Sequence, residues 1–154
     1  MTEIRGKRTA LRRATDDDVE LLVAWHADPD VARYWDDETF TPDEMRTRLA
    51  RDDVEPYVVE EHGAPVGYLQ IHATGLDLFL VPSARGRGLG PEIGRAVARH
   101  LLDVRGWARV TVDPYRWNEG AVRAWGRAGF VAVSEHDADD EHTAPWVLME
   151  FRGE

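Results

Sequence analysis

The sequence predicts an α/β protein built on a mixed sheet, and three observations carry that expectation. Apolar residues recur with a helical period from about residue 15 to residue 51, then switch to strand-like alternation in EPYVVEEHGAPVGYLQIHA. The run 76–81 is almost continuously apolar, as expected of a strand covered on both faces. Beyond it, helical and extended segments alternate to the end of the chain.

Taken in order, residues 8–14 (RTALRRA) read as a first strand. Thr15 then stands before DDDVELLVAWHA, an acidic first turn followed by Val19, Leu22, Val23 and His26 on one helical face, ending near Asp28-Pro29. A short helical piece around 30–35 carries Tyr34 and Trp35. TPDE (41–44) is a helix start, with Thr41 as N-cap, Pro42 first in the helix and Glu44 three residues after the cap; the helix runs to about Arg51. Two strands then meet at His62-Gly63-Ala64 as a hairpin. The strand 76–81 is followed by the helix PEIGRAVARHLLDVRG, which Gly106 stops, and by the strand ARVTVD (108–113). Asn118 opens a helix that Gly129 ends, and 130–135 and 145–151 form a last strand pair joined by an acidic loop. No repeat or low-complexity linker divides the chain, so 1–154 reads as one domain.

Composition limits the functions available. The chain has 154 residues and a net charge of −10, which argues against nucleic-acid or membrane-surface binding and suits a cationic small molecule. It has no cysteine, which excludes disulfides, thiol catalysis and thiolate metal sites. The six histidines show no metal-ligand spacing, so no metal is assigned. No apolar leader or 18-residue apolar run is present, and a cytoplasmic protein is the expectation.

The segment LFLVPSARGRGLGPEIG carries a glycine-rich turn between a strand and a helix. Gly86, Gly88 and Gly90 permit backbone conformations that let several N–H groups converge on an anion, and the helix N-terminus adds positive potential. Pro91 fits the first helical position, and Arg85 and Arg87 are placed to supply charge to phosphate oxygens; a plain solvent loop is the competing reading. The segment is neither GxxxxGK[ST] nor G-x-G-x-x-G.

Arg85-x-x-Gly88-x-Gly90 resembles the pyrophosphate loop of the GNAT acyltransferases, the acetyl-CoA-dependent N-acetyltransferase superfamily. NEGAVRAWGRAGF (118–130) is similar to that family's N-x-x-A-x-x-x-Y-x-x-x-G-F helix. The resemblance implies the GNAT fold: a mixed, mostly antiparallel sheet of six to seven strands flanked by about four helices, with a splayed strand pair for acetyl-CoA. It implies cofactor contacts from Phe79, Leu80, Val81, Arg85, Gly86, Arg87, Gly88, Leu89, Gly90, Pro91, Asn118, Ala121 and Trp125, with amides around Leu80 and Val81 facing the thioester carbonyl. Residues 55–70, GLD and its strand, VTVDP and PDVARYWDDE look like the aminoglycoside 6′-N-acetyltransferases. That likeness puts the amine-orienting, proton-accepting aspartate at Asp77 and an acceptor-site carboxylate at Asp113.

The chemistry of Asp77 stands beside the likeness. An amine is mostly ammonium at neutral pH and must lose a proton before it attacks, and a carboxylate near the thioester can both attract and deprotonate it. A carboxylate in an apolar strand is costly to bury unpaired, so Asp77 should face a wet cleft or a cation, unless it caps the turn Ala73-Thr74-Gly75. Trp35, Asp53 and Glu141 are further candidates for a polycation or its sugar rings, against the readings that Trp35 is core and the acids a solvated face. Trp125 stands where the family has the tyrosine that protonates the departing thiolate, and Tyr115 is an alternative donor. The expectation is direct acetyl transfer to a 6′-amine. A protein N-terminus, another metabolite amine (siderophore-type included) and a non-catalytic acyl-CoA-binding module are the alternatives, with monomer and homodimer both open.

Overall fold

A computed structural model of the chain describes residues 3–73 and 75–153. They form two compact units, 3–73 with 77–87 and 75–76 with 88–153.

In the first unit, β1 (Ile4–Arg5), β2 (Thr9–Arg13), β3 (Val54–Glu61) and β4 (Ala64–His72) hydrogen-bond in sequence order, followed by the part of β5 (Gly75–Leu80) from Asp77 onward. The pairs β1–β2, β2–β3 and β3–β4 are antiparallel. The β3–β4 turn is the two residues His62 and Gly63, both at positive φ (52° and 79°), a geometry that glycine tolerates without strain. Three helices lie between β2 and β3: α1 (Val19–Ala27), α2 (Pro29–Ala32) and α3 (Pro42–Leu49). The Thr41–Glu44 capping box at α3 is formed, and a second one joins Thr15 to Asp18 in the turn before α1. Val19, Leu22, Val31, Met45, Tyr68 and Phe79 make the buried core, with Trp25, Trp35 and Phe40 packed on it. Asp18 is buried beside Arg12, whose guanidinium bonds both its carboxylate oxygens at 2.9 Å and reaches Glu60 at 2.9 Å; these bonds hold the Asp18 carboxyl below its usual range.

In the second unit the strands follow the order β5, β6 (Thr111–Val112), β8 (Trp146–Phe151), β7 (Phe130–His136), with α4 (Leu89–Arg99) and α5 (Glu119–Ala128) as its helices. β5 and β6 run parallel and meet at Gly75↔Thr111, whereas β6–β8 and β8–β7 are antiparallel. Gly75 is required there, since a Cβ would stand 2.0 Å from the Thr111 carbonyl oxygen. α4 passes into a wider π-type turn over His100–Val104, and Gly106 (φ 71°) ends it. Leu89, Ile93, Val97, Leu101, Val110, Phe130 and Met149 are buried.

The architecture is the α/β class with the mixed, mostly antiparallel sheet that the sequence predicts. Among the described residues it has eight strands and five α-helices, one of each more than the upper expectation. The extra strand, Ile4–Arg5, is too short to show a period. The strand expected over 108–113 shortens to Thr111–Val112. On either side the backbone still bonds β8, Phe151 N–H to the Val110 carbonyl and Val147 N–H to the Pro114 carbonyl, but Pro114 has no N–H to extend the ladder.

Candidate functional site

Asp77 emerges from β5 with its side chain about one-third exposed (34%) and with two polar partners. Its Oδ2 accepts a hydrogen bond from Gln70 Nε2 at 3.1 Å, and His72 Nε2 lies 3.0 Å from the same oxygen. Tyr68, Gln70 and His72 alternate along β4 and therefore share one face. The Tyr68 hydroxyl donates to Gln70 Oε1 at 3.0 Å, and Arg48 NH1 from α3 approaches that oxygen at 3.4 Å. Burial pushes the Tyr68 phenol well above its ordinary range, so it remains a donor. With Oε1 accepting from two sides, the Gln70 amide is oriented to donate to Asp77. Thr74, in the turn that Asp77 was alternatively expected to cap, lies outside the described residues. Gln70 and His72 went unnoticed in the sequence; the signal was the alternation Y-x-Q-x-H on the strand before Asp77.

Backbone directions along the end of β5 follow from two contacts. Val81 N–H donates to the Val66 carbonyl on β4 at 3.0 Å. The Phe79 carbonyl oxygen faces β4 too, lying 2.5 Å from where a Cβ on Gly67 would be. Strand alternation then turns the N–H and C=O of Leu80 to the opposite side. Of the two amides expected to face a thioester carbonyl, Val81 is therefore engaged by β4, and Leu80 is the one directed away from it.

A short turn over Pro82–Ala84 leads from β5 into the glycine loop. Gly86 and Gly88 both have φ of 76°, and no atom lies within 4 Å of a Cβ built on Gly86. Gly88 is the left-handed N-cap of α4 and brings no side chain to cap it, so the first-turn amides of Leu89 and Gly90 point out of the helix end without an internal acceptor. Pro91 is the third helical residue rather than the first, where its missing N–H still costs no bond. The arginines do not extend freely from the loop. Arg85 donates to the carbonyls of Leu80 (3.0 Å) and Asp30 (2.9 Å) and lies over the Tyr34 ring; Arg87 forms a two-pronged pair with Glu61 at 2.8 and 3.0 Å. Both loop arginines are thus engaged by the protein itself.

Trp35 is partly buried, with its ring 5.1 Å from Phe79, 5.9 Å from Tyr68 and 6.0 Å from His26, so most of it serves the core. Asp53 is held in an exposed pair by Arg51 at 2.6 and 2.9 Å.

In the second unit, Asn118 caps α5 by accepting from Ala121 N–H at 3.2 Å. One turn on from Ala121, the Trp125 indole lies across Gly94 of α4, 2.8 Å from where a Cβ would be, and edge-on to Phe130 at 5.2 Å. The Tyr115 hydroxyl accepts from the Thr143 N–H at 3.2 Å and its ring stacks near Trp117. Asp113 is not open to solvent on all sides: His142 Nε2 is 2.7 Å from its Oδ2. His142 Nδ1 meets Asp139 at 2.9 Å, and the ring stacks on Trp146 at 4.1 Å. Trp146 Nε1 donates to Asp139 at 3.1 Å and carries His136 on a stacked ring 4.3 Å away. Burial alone would lower the His142 imidazole, but the bonds to Asp113 and Asp139 prevail and raise it above its ordinary value. Glu141 is exposed on the same loop, its N–H donating to Asp139 at 3.0 Å. The His142 clasp had no sequence signal, because it joins residues 29 apart. Among the described residues no group of three or more His, Asp or Glu side chains is placed to hold a metal ion, and no helix is long and apolar enough to cross a membrane.

A family model described as an acetyltransferase (GNAT) domain matches residues 14–138. Aminoglycoside N(6′)-acetyltransferases type 1 from Klebsiella pneumoniae and Serratia marcescens are each 26% identical over 145 residues, covering 78% of this chain and 72% of theirs. The structure of the aminoglycoside acetyltransferase AAC(6′)-Ib in complex with coenzyme A and kanamycin is similar with a TM-score of 0.81 at 25% identity, over 92% of this chain and 93% of that one. A spermidine N-acetyltransferase from Vibrio cholerae, solved with CoA and spermine, shares the fold with a TM-score of 0.81 at 14% identity, covering 94% and 95%.

Proposed function

The chain belongs to the acetyltransferase (GNAT) family, and from that premise we propose that it transfers acetyl from acetyl-CoA to the 6′-amine of an aminoglycoside. The observation that carries the acceptor side is Asp77, a part-exposed carboxylate held on one oxygen by Gln70 and His72, three residues before the outward amide of Leu80. Asp77 attracts the cationic amine and takes its proton, and the lone pair left on nitrogen attacks the thioester carbonyl. The likeness to relatives named as 6′-acetyltransferases supports the choice of amine.

The donor side fits acetyl-CoA. Gly86 to Pro91 offer backbone N–H groups and a helix end to the pyrophosphate, and Arg87 adds charge only if it leaves Glu61. Arg85 acts by fixing the Leu80 carbonyl. Phe79 to Val81 are the strand we assign to the pantetheine, with the Leu80 N–H toward the thioester oxygen. Asn118, Ala121 and Trp125 are carried as cofactor contacts by the family likeness. So is Asp113 as an acceptor carboxylate, which requires a substrate cation to replace His142; Trp35, Asp53 and Glu141 are lesser acceptor contacts. Transfer is direct, within a ternary complex, because the chain has no cysteine to carry an acyl group.

The test is acetyl-CoA consumption against kanamycin-type aminoglycosides, polyamines and short peptides. Turnover with 6′-amino aminoglycosides is expected, and Asp77→Asn should lower kcat/KM by about 10²–10⁴-fold, the usual range for a lost general base. Turnover of a peptide with none of any 6′-amino aminoglycoside would overturn the reading.

A further inference from the structure

His72 is the feature of the Asp77 cluster that the proposed reaction has not used. Its Nε2 lies 3.0 Å from Asp77 Oδ2, the oxygen that Gln70 also bonds, and its side chain is about as exposed (31%) as that of Asp77 (34%). Both contacts therefore fall on one carboxylate oxygen, and Oδ1 takes neither of them. Gln70 is neutral at every pH, but an imidazole is the side chain whose charge changes near neutrality.

We propose that His72 is a positioning residue: its Nε2–H fixes Oδ2 of Asp77, and protonation of its ring withdraws that carboxylate from the incoming amine. This rests on the reading of Asp77 as the amine-facing carboxylate. With neutral His72, Nε2–H donates to Oδ2 and the ammonium delivers its proton to Oδ1, the N–H electron pair remaining on the nitrogen. The part-exposed carboxyl then returns the proton to water. With His72 as imidazolium, Asp77 is already paired with a cation, which competes with the substrate for its charge and makes it a weaker base. Other charged or titratable groups stand about this cluster. They are Arg48 on α3, paired with Glu38 at 3.5 Å; the Tyr68 phenol; and Glu55 and the Asp53–Arg51 pair, on either side of Val54, the β3 partner of His72.

The experiment compares wild type, His72→Gln, His72→Phe and Asp77→Asn in kcat/KM from about pH 5.5 to 8.5, a window spanning an imidazole's titration. The amine is the best substrate of the panel, and its own titration cancels between variants. Glutamine keeps a donor without a charge, so His72→Gln should stay within about threefold of wild type at high pH and keep its activity at low pH where wild type loses it. Phenylalanine removes both donor and charge, so His72→Phe should lose about tenfold in kcat/KM at high pH and show no further fall at low pH where wild type falls. A His72→Gln profile that parallels wild type, or a His72→Phe enzyme equal to it at high pH, overturns the proposal. Full activity of Asp77→Asn would instead overturn the role of Asp77. A second readout needs no substrate: the NMR titration midpoint of the His72 ring should fall in Asp77→Asn, and identical midpoints would also overturn the pairing.

Discussion

His26 lies in the core of the first unit with its Nδ1–H donating to the Leu22 carbonyl at 2.7 Å, while the other ring nitrogen is buried without a hydrogen-bond partner among the described residues. The rings of Trp35, Phe40, Tyr68 and Phe79 meet it edge-on at 5.0–6.0 Å. Burial, with a smaller contribution from nearby Arg48, lowers this imidazole below its ordinary 6.5. The unfolded chain then binds a proton the folded chain refuses, so the stabilisation is complete above 6.5 and is lost as pH falls from there toward the depressed folded value. His142 has the opposite sign: held above 6.5 by two carboxylates, its contribution is complete below that value and is lost as pH rises through the folded one. Thermal denaturation between about pH 5 and pH 8 separates them. His26→Gln should flatten the loss of Tm on acidification, whereas His142→Gln should steepen it. Curves parallel to wild type in both variants would contradict the two assignments. Trp125 makes a third test at this scale, because its ring rests on Gly94 and does not replace a hydroxyl donor. Trp125→Tyr should leave kcat unchanged or raise it by up to about tenfold, the low end of acid–base contributions; a large fall would mean that the indole's packing matters more than the missing acid.

The elements divide by whether their cause is local. Caps and stops that a few neighbouring residues decide were legible: Thr41 with Glu44, Asn118 at α5, Gly129 (φ 112°) after it, and the His62-Gly63 turn. What could not be read depends on the partner strand. β6 shrinks to two residues because its bonds are decided by β8 and by Pro114, and β1 exists only as the partner of Leu11 and Ala10. The glycines show the same division. Gly75 was read only as part of a turn, yet a Cβ there would be 2.0 Å from the Thr111 oxygen, whereas nothing lies within 4 Å of a Cβ on Gly126 in α5. Gly75→Ala must therefore push β5 off β6 and should cost about 2–4 kcal/mol, at or above the usual range for overpacking. Gly126→Ala should stabilise by about 0.5–1 kcal/mol through helix propensity and a less flexible unfolded chain. Urea denaturation of both measures the contrast, and equal effects would mean that the Gly75 contact relaxes freely.

At the scale of the whole molecule, the candidate site was legible where its residues are contiguous and obscure where it is assembled from separate ones. The glycine loop and Asp77 stand in one stretch of sequence; the loop arginines turned out to pair with Glu61 and the Asp30 and Leu80 carbonyls, and Asp113 to pair with His142, through contacts that no spacing announces. Net charge is visible from composition and acts over the full surface. At −10 the surface favours the approach of a polycationic amine and opposes that of an anionic thioester cofactor, which on the proposed reading enters through local backbone donors. Salt tests that division of labour, because fields beyond about 8 Å are screened at 0.15 M ionic strength while short contacts persist. Between about 50 and 300 mM salt, kcat/KM for an aminoglycoside should fall several-fold, and more steeply for amines of higher charge. The KM for acetyl-CoA should hold steady or improve over the same range, since screening removes a repulsion. An amine dependence that is flat in salt would mean that the surface charge plays no part in capture, leaving the acceptor side to Asp77 and its immediate neighbours.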